Sequence, residues 1–243
     1  MPFLGSQKRM IGGLVGTTDI DDLAITSAKL ASAVSFGLKS QQVFTSSGTW
    51  TKPSGITKVK VIVVGGGGGA GGCQSVSTYN PGSGGGGGGG TAIEVIDVSS
   101  TSSETVTVGA GGAGGASGTN DGAAGGTSSF GSFCSATGGS GGEYGRDTSW
   151  ATVHDGGAGG AGSGGDVNID GQTGGDANSS SGADVEYGHG GGSFMGPGAA
   201  RPSYNQGTGI HAAVYGGGGS GIRKSSSAGG NGHAGIVIVE EYA

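Results

Sequence analysis

Four histidines, two cysteines and 17 acidic residues are the groups in this 243-residue chain with the most obvious capacity for metal binding or acid–base chemistry. His154, His189, His211 and His233 stand apart from one another along the chain. Only His154 has a carboxylate beside it, Asp155, and no companion motif supplies the further convergent groups that catalysis needs. Asp166-Val-Asn-Ile-Asp170-Gly171 alternates carboxylate and carboxamide like part of a calcium loop. It lacks the Asp-x-Asp-x-Asn-Gly spacing and the closing Glu, so it reads as a solvated turn. Cys73 and Cys134 have neither zinc-site spacing nor the numbers of a disulfide framework, and read as buried free thiols. Gly-x-Gly-x-x-Gly recurs through composition alone and carries no dinucleotide signal. No paired-carboxylate motif stands out for glycoside hydrolysis. The chain therefore reads as a non-enzyme with no metal and no cofactor.

Recognition chemistry is better represented. Between glycine tracts lie Tyr79, the group Tyr144, Arg146 and Trp150, then Tyr187, then Phe194, Arg201 and Tyr204, and finally His211 and Tyr215. Rings offer apolar stacking area at low entropic cost, and polar neighbours give direction. These ten residues are the candidate receptor contacts, suited to a sugar or a protein surface. Trp50 reads instead as core, and Phe130 and Phe133 fit a core plug and a binding role equally well.

The elements that must hold those loops are unusual. Glycine supplies 65 of the 243 residues, about a quarter of the chain against a usual ~7%. Fixing glycine costs more backbone entropy than fixing any other residue, and few large side chains are present to offset it. Such a chain is disordered or folds by satisfying backbone groups. Recurring Val/Ile/Thr strands favour the second. Ala110, Ala113 and Ala116 are three apart, as are Ala158 and Ala161. Period three belongs to the polyproline-II helix, and several such helices side by side can exchange N–H···O=C bonds, with the alanines on an outward face or in a gap. Tracts of seven to ten residues would span about 22–31 Å.

Around the tracts the character is β. Val43–Thr45 and Thr49–Lys52 read as a hairpin about Ser47-Gly48, Pro53-Ser54-Gly55 as a turn, and Ile56–Val64 as the longest strand, half wet and then covered on both faces. Thr91–Val98, Glu104–Val108 and Ile236–Tyr242 complete a small β-sandwich-like platform with its first and last strands paired. The expected fold is mostly β with polyproline-II-type glycine helices: a platform, a polyglycine-II bundle over 65–235, and a short helical or extended arm. The expected division is 1–40 for the arm and 41–243 for the glycine-rich domain.

In the arm, Asp19 could cap a helix whose stripe carries Ile20, Leu23, Leu30 and Val34. A stripe so narrow needs partner copies or a larger particle. The net charge of −6, with no Lys/Arg cluster larger than pairs such as Lys8-Arg9, Lys58/Lys60 and Arg223-Lys224, argues against nucleic acid. The start has no apolar core of a signal peptide, and no window reaches the ~20 apolar residues of a membrane helix, so synthesis and folding in a cytoplasm are expected.

Three motifs carry a family resemblance. Gly48-Thr-Trp-Thr-Lys-Pro-Ser-Gly-Ile-Thr-Lys-Val-Lys-Val-Ile-Val-Val-Gly65 resembles the opening of glycine-rich domains in bacteriophage tail fibres. Thr127-Ser-Ser-Phe-Gly-Ser-Phe-Cys-Ser-Ala-Thr-Gly-Gly139 resembles their internal signature, and Gly235-Ile-Val-Ile-Val-Glu-Glu-Tyr242 their closing strand. Leu23-Ala-Ile-Thr-Ser-Ala-Lys-Leu-Ala31 is similar to segments near the start of such fibres that assemble as trimers. The resemblance implies a polyglycine-II sandwich whose loops bind a bacterial surface glycan or outer-membrane protein. It implies a virion location, a homotrimer, and attachment to other tail proteins through the arm. A structural connector or decoration protein, and an ice-binding protein, are the alternatives from other classes.

Overall fold

A computed structural model describes residues 37–74, 80–146, 152–180, 186–202, 208–223 and 226–243. The chain divides into Met1–Gly37 and Leu38–Ala243, and the second unit is the one described below. The stripe of Ile20, Leu23, Leu30 and Val34 lies outside the described residues.

The fold is mostly β, with no helix among the described residues. One antiparallel sheet contains β1 (Leu38–Phe44), β3 (Lys58–Val64), β5 (Thr91–Asp97), β11 (Val167–Ile169) and β13 (Ile236–Tyr242), in the order β1-β13-β3-β5-β11. The second contains β2 (Gly48–Thr51), β6 (Ser103–Thr107), β7 (Ser128–Phe130), β8 (Cys134–Ala136) and β10 (Gly162–Ser163), in the order β10-β8-β7-β6-β2. A small third sheet joins β4 (Asn80–Pro81), β12 (Ala177–Ser180) and β9 (Val153–His154).

The two large sheets share one core. Alternation in β3 sends Val59, Val61 and Val63 inward, where they meet Ile96, Val237 and Val239 of the same sheet and Val106, Phe130 and Ala136 of the other. Trp50 is fully buried against Phe130, ring centroids 5.6 Å apart, and Phe133 packs part-buried beside them. Both phenylalanines thus serve the core. The indole N–H of Trp50 donates to Glu241 Oε1 at 2.7 Å. That fully buried carboxylate also accepts Gln42 Nε2 at 2.7 Å and the Ser40 hydroxyl, so it ties β1, β2 and β13 together.

Two expectations are corrected. Val43–Thr45 and Thr49–Lys52 do not form a hairpin: β1 pairs with β13 and β2 pairs with β6. The chain crosses from one sheet to the other at 45–47, which lets Trp50 point between them. Asp166–Gly171 is not a free turn either. Val167–Ile169 pairs with Thr91–Ile93 at the sheet edge, and Asp166 Oδ2 accepts the Val95 N–H at 3.0 Å.

From Val64 the chain enters the glycine region, where strand pairing stops but hydrogen bonding does not. Residues 65, 68 and 71 donate to 90, 87 and 84. Residues 66, 69 and 72 donate to 126, 123 and 120, and residues 67, 70 and 73 to 233, 230 and 227. Successive N–H groups therefore serve three different neighbours, and every third serves the same one. The carbonyls of 65–73 accept from three further tracts: from 139, 142 and 145, from 112, 115 and 118, and from 219. Tract 84–90 repeats the scheme, donating to 137–143, 172–175 and 216–219 and accepting from 157–160, 191 and 65–71. Two adjacent, wholly buried tracts are thus each surrounded by six others. The surrounding tracts bond to one another in a closed ring, in the order 120–126, 137–145, 157–161, 171–175, 188–192, 216–222, 227–235 and 109–118.

This packing leaves room inside for the Ala70 methyl and, at the glycines around it, for hydrogen alone. A Cβ at Gly67 would fall on the Gly217 carbonyl, and one at Gly85 on that of His189. On the outer tracts the burial repeats every third residue: Gly112, Gly115, Gly157 and Gly160 are buried, while Ala110, Ala113, Ala116, Ala158 and Ala161 are exposed.

Gly67→Ala should therefore destabilise the fold by about 3 kcal/mol or more, whereas the outward Ala113→Ser should change stability by less than about 0.5 kcal/mol, both read from urea midpoints. Glu241→Ala strands the Trp50 N–H in the core and should cost about 2–3 kcal/mol in the same assay.

Candidate functional site

The array has two ends, fixed by connectivity. Tract 65–73 leaves β3 and tract 84–90 enters β5, so 65 and 90 mark the platform end. Cys73, Ser83, Gly118, Gly145, Asp155, Gly188, Ile222 and Ser227 mark the far end, where they are joined by bonds such as Cys73 N to Ser227 O and Ser83 N to Ile222 O, both 2.9 Å. The described ends of the connections 74–80, 146–152, 180–186, 202–208 and 223–226 all leave the array at this end.

A small polar core fixes it. Cys73, Ser83 and Ile222 are fully or almost fully buried; the Ser83 hydroxyl accepts the Ile222 N–H at 2.9 Å and the Cys73 thiol donates to the Ile222 carbonyl at 3.2 Å. Both cysteines are free, as expected, and burial pushes each thiol up to about 12. Both therefore stand as thiols rather than as the nucleophilic thiolates of reactive cysteines. The pocket of about 170 Å³ beside Cys134, lined by residues 131–135 and 163–164, belongs to the platform rather than to this end. Among the described residues no three His, Cys, Asp or Glu side chains converge on a metal position.

Of the ten expected receptor contacts, four described residues lie at the far end, in two groups. Arg146 lies over the Tyr144 ring, 5.5 Å from its centroid, and donates to the Tyr144 hydroxyl at 3.0 Å. Tyr187 is half-buried and donates its hydroxyl to the Pro202 carbonyl at 2.6 Å, which places exposed Arg201 beside it. Three of the ten do not join them. Phe194 and Tyr215 sit at the platform end, where Ser193 Oγ donates to the Tyr215 carbonyl at 2.6 Å and Gly216 lies against Val64. Tyr215 is also engaged edge-on by His233, at 4.8 Å. His211 lies on the flank and accepts the Asn231 N–H through Nδ1 at 2.8 Å. Tyr79, Trp150 and Tyr204 lie outside the described residues.

Sequence reasoning missed other far-end residues. Val153 is more than half exposed beside buried His154. Asp121, Glu143 and Asp176 accept the outward N–H groups of Tyr144, Asp155 and Gly156 at 2.9, 3.2 and 2.9 Å. The period-three phase of the tracts was the signal that could have found them.

His154 is structural. It is almost fully buried in the third sheet, and its Nε2 faces the Arg146 N–H at 3.4 Å. Burial holds the imidazole below its ordinary 6.5, against the pull of Glu143 and Asp155. The unfolded form therefore binds its proton first as pH falls through 6.5, and the fold loses stability there. Hydrogen exchange at the Arg146 and Asn178 amides, corrected for intrinsic rate, should speed up between about pH 7 and 5, and His154→Phe should remove that dependence.

Comparison with curated proteins finds no match. The family model described as "Glycine-rich domain" matches residues 42–242, which takes in both large sheets apart from the start of β1, the ring of tracts and the far end. By this match over most of its length, the chain belongs to the glycine-rich domain family.

Proposed function

We propose that the chain is a receptor-binding protein of a bacteriophage tail fibre or tail tip, with no enzymatic role, whose glycine tracts are polyglycine-II helices. The rotation of successive N–H groups among three neighbours supports the helical reading, since a helix of three residues per turn presents its donors in that order. At ~3.1 Å per residue, the eight steps from 65 to 73 carry the far end about 25 Å from the platform.

One observation carries the functional reading: five connections between tracts leave the same end of a scaffold held together by backbone bonds. Loops fixed by a rigid frame are the usual seat of recognition. Tyr144, Arg146, Tyr187 and Arg201 provide stacking faces and cationic donors there, suited to a bacterial surface glycan or an outer-membrane protein. Tyr79, Trp150 and Tyr204 belong to the same reading by their positions in the sequence. Residues 1–40, with Ile20, Leu23, Leu30 and Val34, attach the protein to other tail proteins and assemble it as a homotrimer. Multiple copies then multiply weak contacts by avidity.

Purified protein should compete with phage for adsorption to host cells. The Tyr144→Ala, Arg146→Ala double variant should lose that competition by about tenfold or more, while Phe194→Ala at the platform end should keep it. Protein that folds, binds the tail and never binds the host would point instead to a structural connector of the virion.

A further inference from the structure

The outer face of the β1-β13-β3-β5-β11 sheet is more apolar than its position warrants. Antiparallel register places Val43, Ile238, Ile62, Ile93 and Val167 directly across from one another, in one row running over all five strands. Residues across a register share a face, and the row points away from the core formed by Val59, Val61, Val63, Val237 and Val239. Val43 and Val167, at its two ends, are 52% and 49% exposed. The next row is Gln41, Glu240, Lys60 and Val95, and Val95 is 55% exposed. Beyond it come Tyr242, Lys58 and Asp97, beside exposed Leu38. Leu38, Val43, Val95 and Val167 are four of the six large hydrophobics most exposed among the described residues. Isolated exposed apolar residues need no explanation; a contiguous row does.

We propose that this face packs against the same face of a second copy of the chain. Its charges support self-association. Lys60 and Glu240 form a 3.2 Å ion pair on the two middle strands of the face. A two-fold axis parallel to the strands, between β13 and β3, would set each copy's Lys60 over the other's Glu240. The same operation lays Ile238 on Ile62 and Val43 on Ile93. Opposite charges meet and the apolar row meets itself, as a two-fold contact requires. The area is small. The operation overlaps β1, β13, β3 and β5 with their counterparts and leaves β11 outside; four strands at ~4.8 Å and three rows at ~6.7 Å give about 390 Å² a side, or about 770 Å² buried in all. That falls below the ~1,000 Å² of a specific interface in dilute solution, so the contact forms at high local concentration, as between copies already held on one particle.

The inference does not rest on the receptor-binding reading. Its test is the mass of the full-length chain by light scattering and sedimentation at about 100 µM, with amine–carboxylate cross-linking of mixed ¹⁴N- and ¹⁵N-labelled protein. The expected result is twice the mass of the unit found on dilution, with mixed-isotope cross-links joining Lys60 or Lys58 to Glu240. Val43→Asp with Val95→Asp, both at half-exposed positions inside the overlap, should halve the mass at 100 µM and leave the melting temperature within a few degrees. A mass independent of concentration with no mixed-isotope link at this face overturns the proposal. So does a doubled mass that both substitutions leave unchanged. If the double variant fails to fold, the mixed-isotope links in the unaltered protein decide.

Discussion

Backbone hydrogen bonds without side chains between them are the constraint on which everything else depends. Two glycine tracts lie at the centre of the array, and each N–H and many carbonyls find a partner on one of six neighbours. That arrangement requires chains to approach until only hydrogen fits at Cα, which is why a Cβ at Gly67, Gly85 or Gly88 would strike a carbonyl. Glycine's conformational entropy makes the array costly to order. The compensation is a dense set of bonds at 2.7–3.1 Å shielded from water, where an unmade bond is most expensive.

The platform works by the opposite principle, and the junction between them is sharp. Val59, Val61 and Val63 lie in a side-chain core, and two residues later Gly65 lies in a lattice whose largest side chain before Cys73 is the Ala70 methyl. The platform gives the tracts a common starting plane, since 65–73 continues β3 and 84–90 runs into β5. Glu241 strengthens that plane. A lone buried carboxylate is normally a liability, and here three neutral donors from β1 and β2 satisfy it. At the far end a few small polar groups, led by Ser83 and Cys73, replace the apolar core.

How much of this was legible depended on whether side chains carried a pattern. Val59–Val64 and Ile236–Tyr242 announce themselves through β-branched runs, and their strands fall where the alternation places them. Trp50 reads as core for the same reason. The hairpin reading of 43–52 failed because β propensity does not say which partner a strand takes, and the crossing between sheets at 45–47 leaves no local mark. Within the tracts register was invisible, since identical glycines give no basis for matching 67 to 233 rather than to 230. The gathering of Tyr144, Arg146, Tyr187 and Arg201 at one end, and the exclusion of Phe194 and Tyr215, follow from that unreadable register. Only the alanines at every third position hinted at it.

The path of the chain through the ring bears on how the protein is made. The strand β13 lies between β1 and β3, although nearly 200 residues separate it from β1 in sequence. The tract at 65–73 likewise takes one of its six neighbours from 227–233. Contacts of such long range fold slowly, because loop closure precedes any return. A growing chain could extend through more than 200 residues with its first-made tract still open on one flank and its largest sheet still split. Completion would then come in one late step, when the closing strand leaves the ribosome. Until that moment the exposed glycine lattice would need protection from its own copies on the same message.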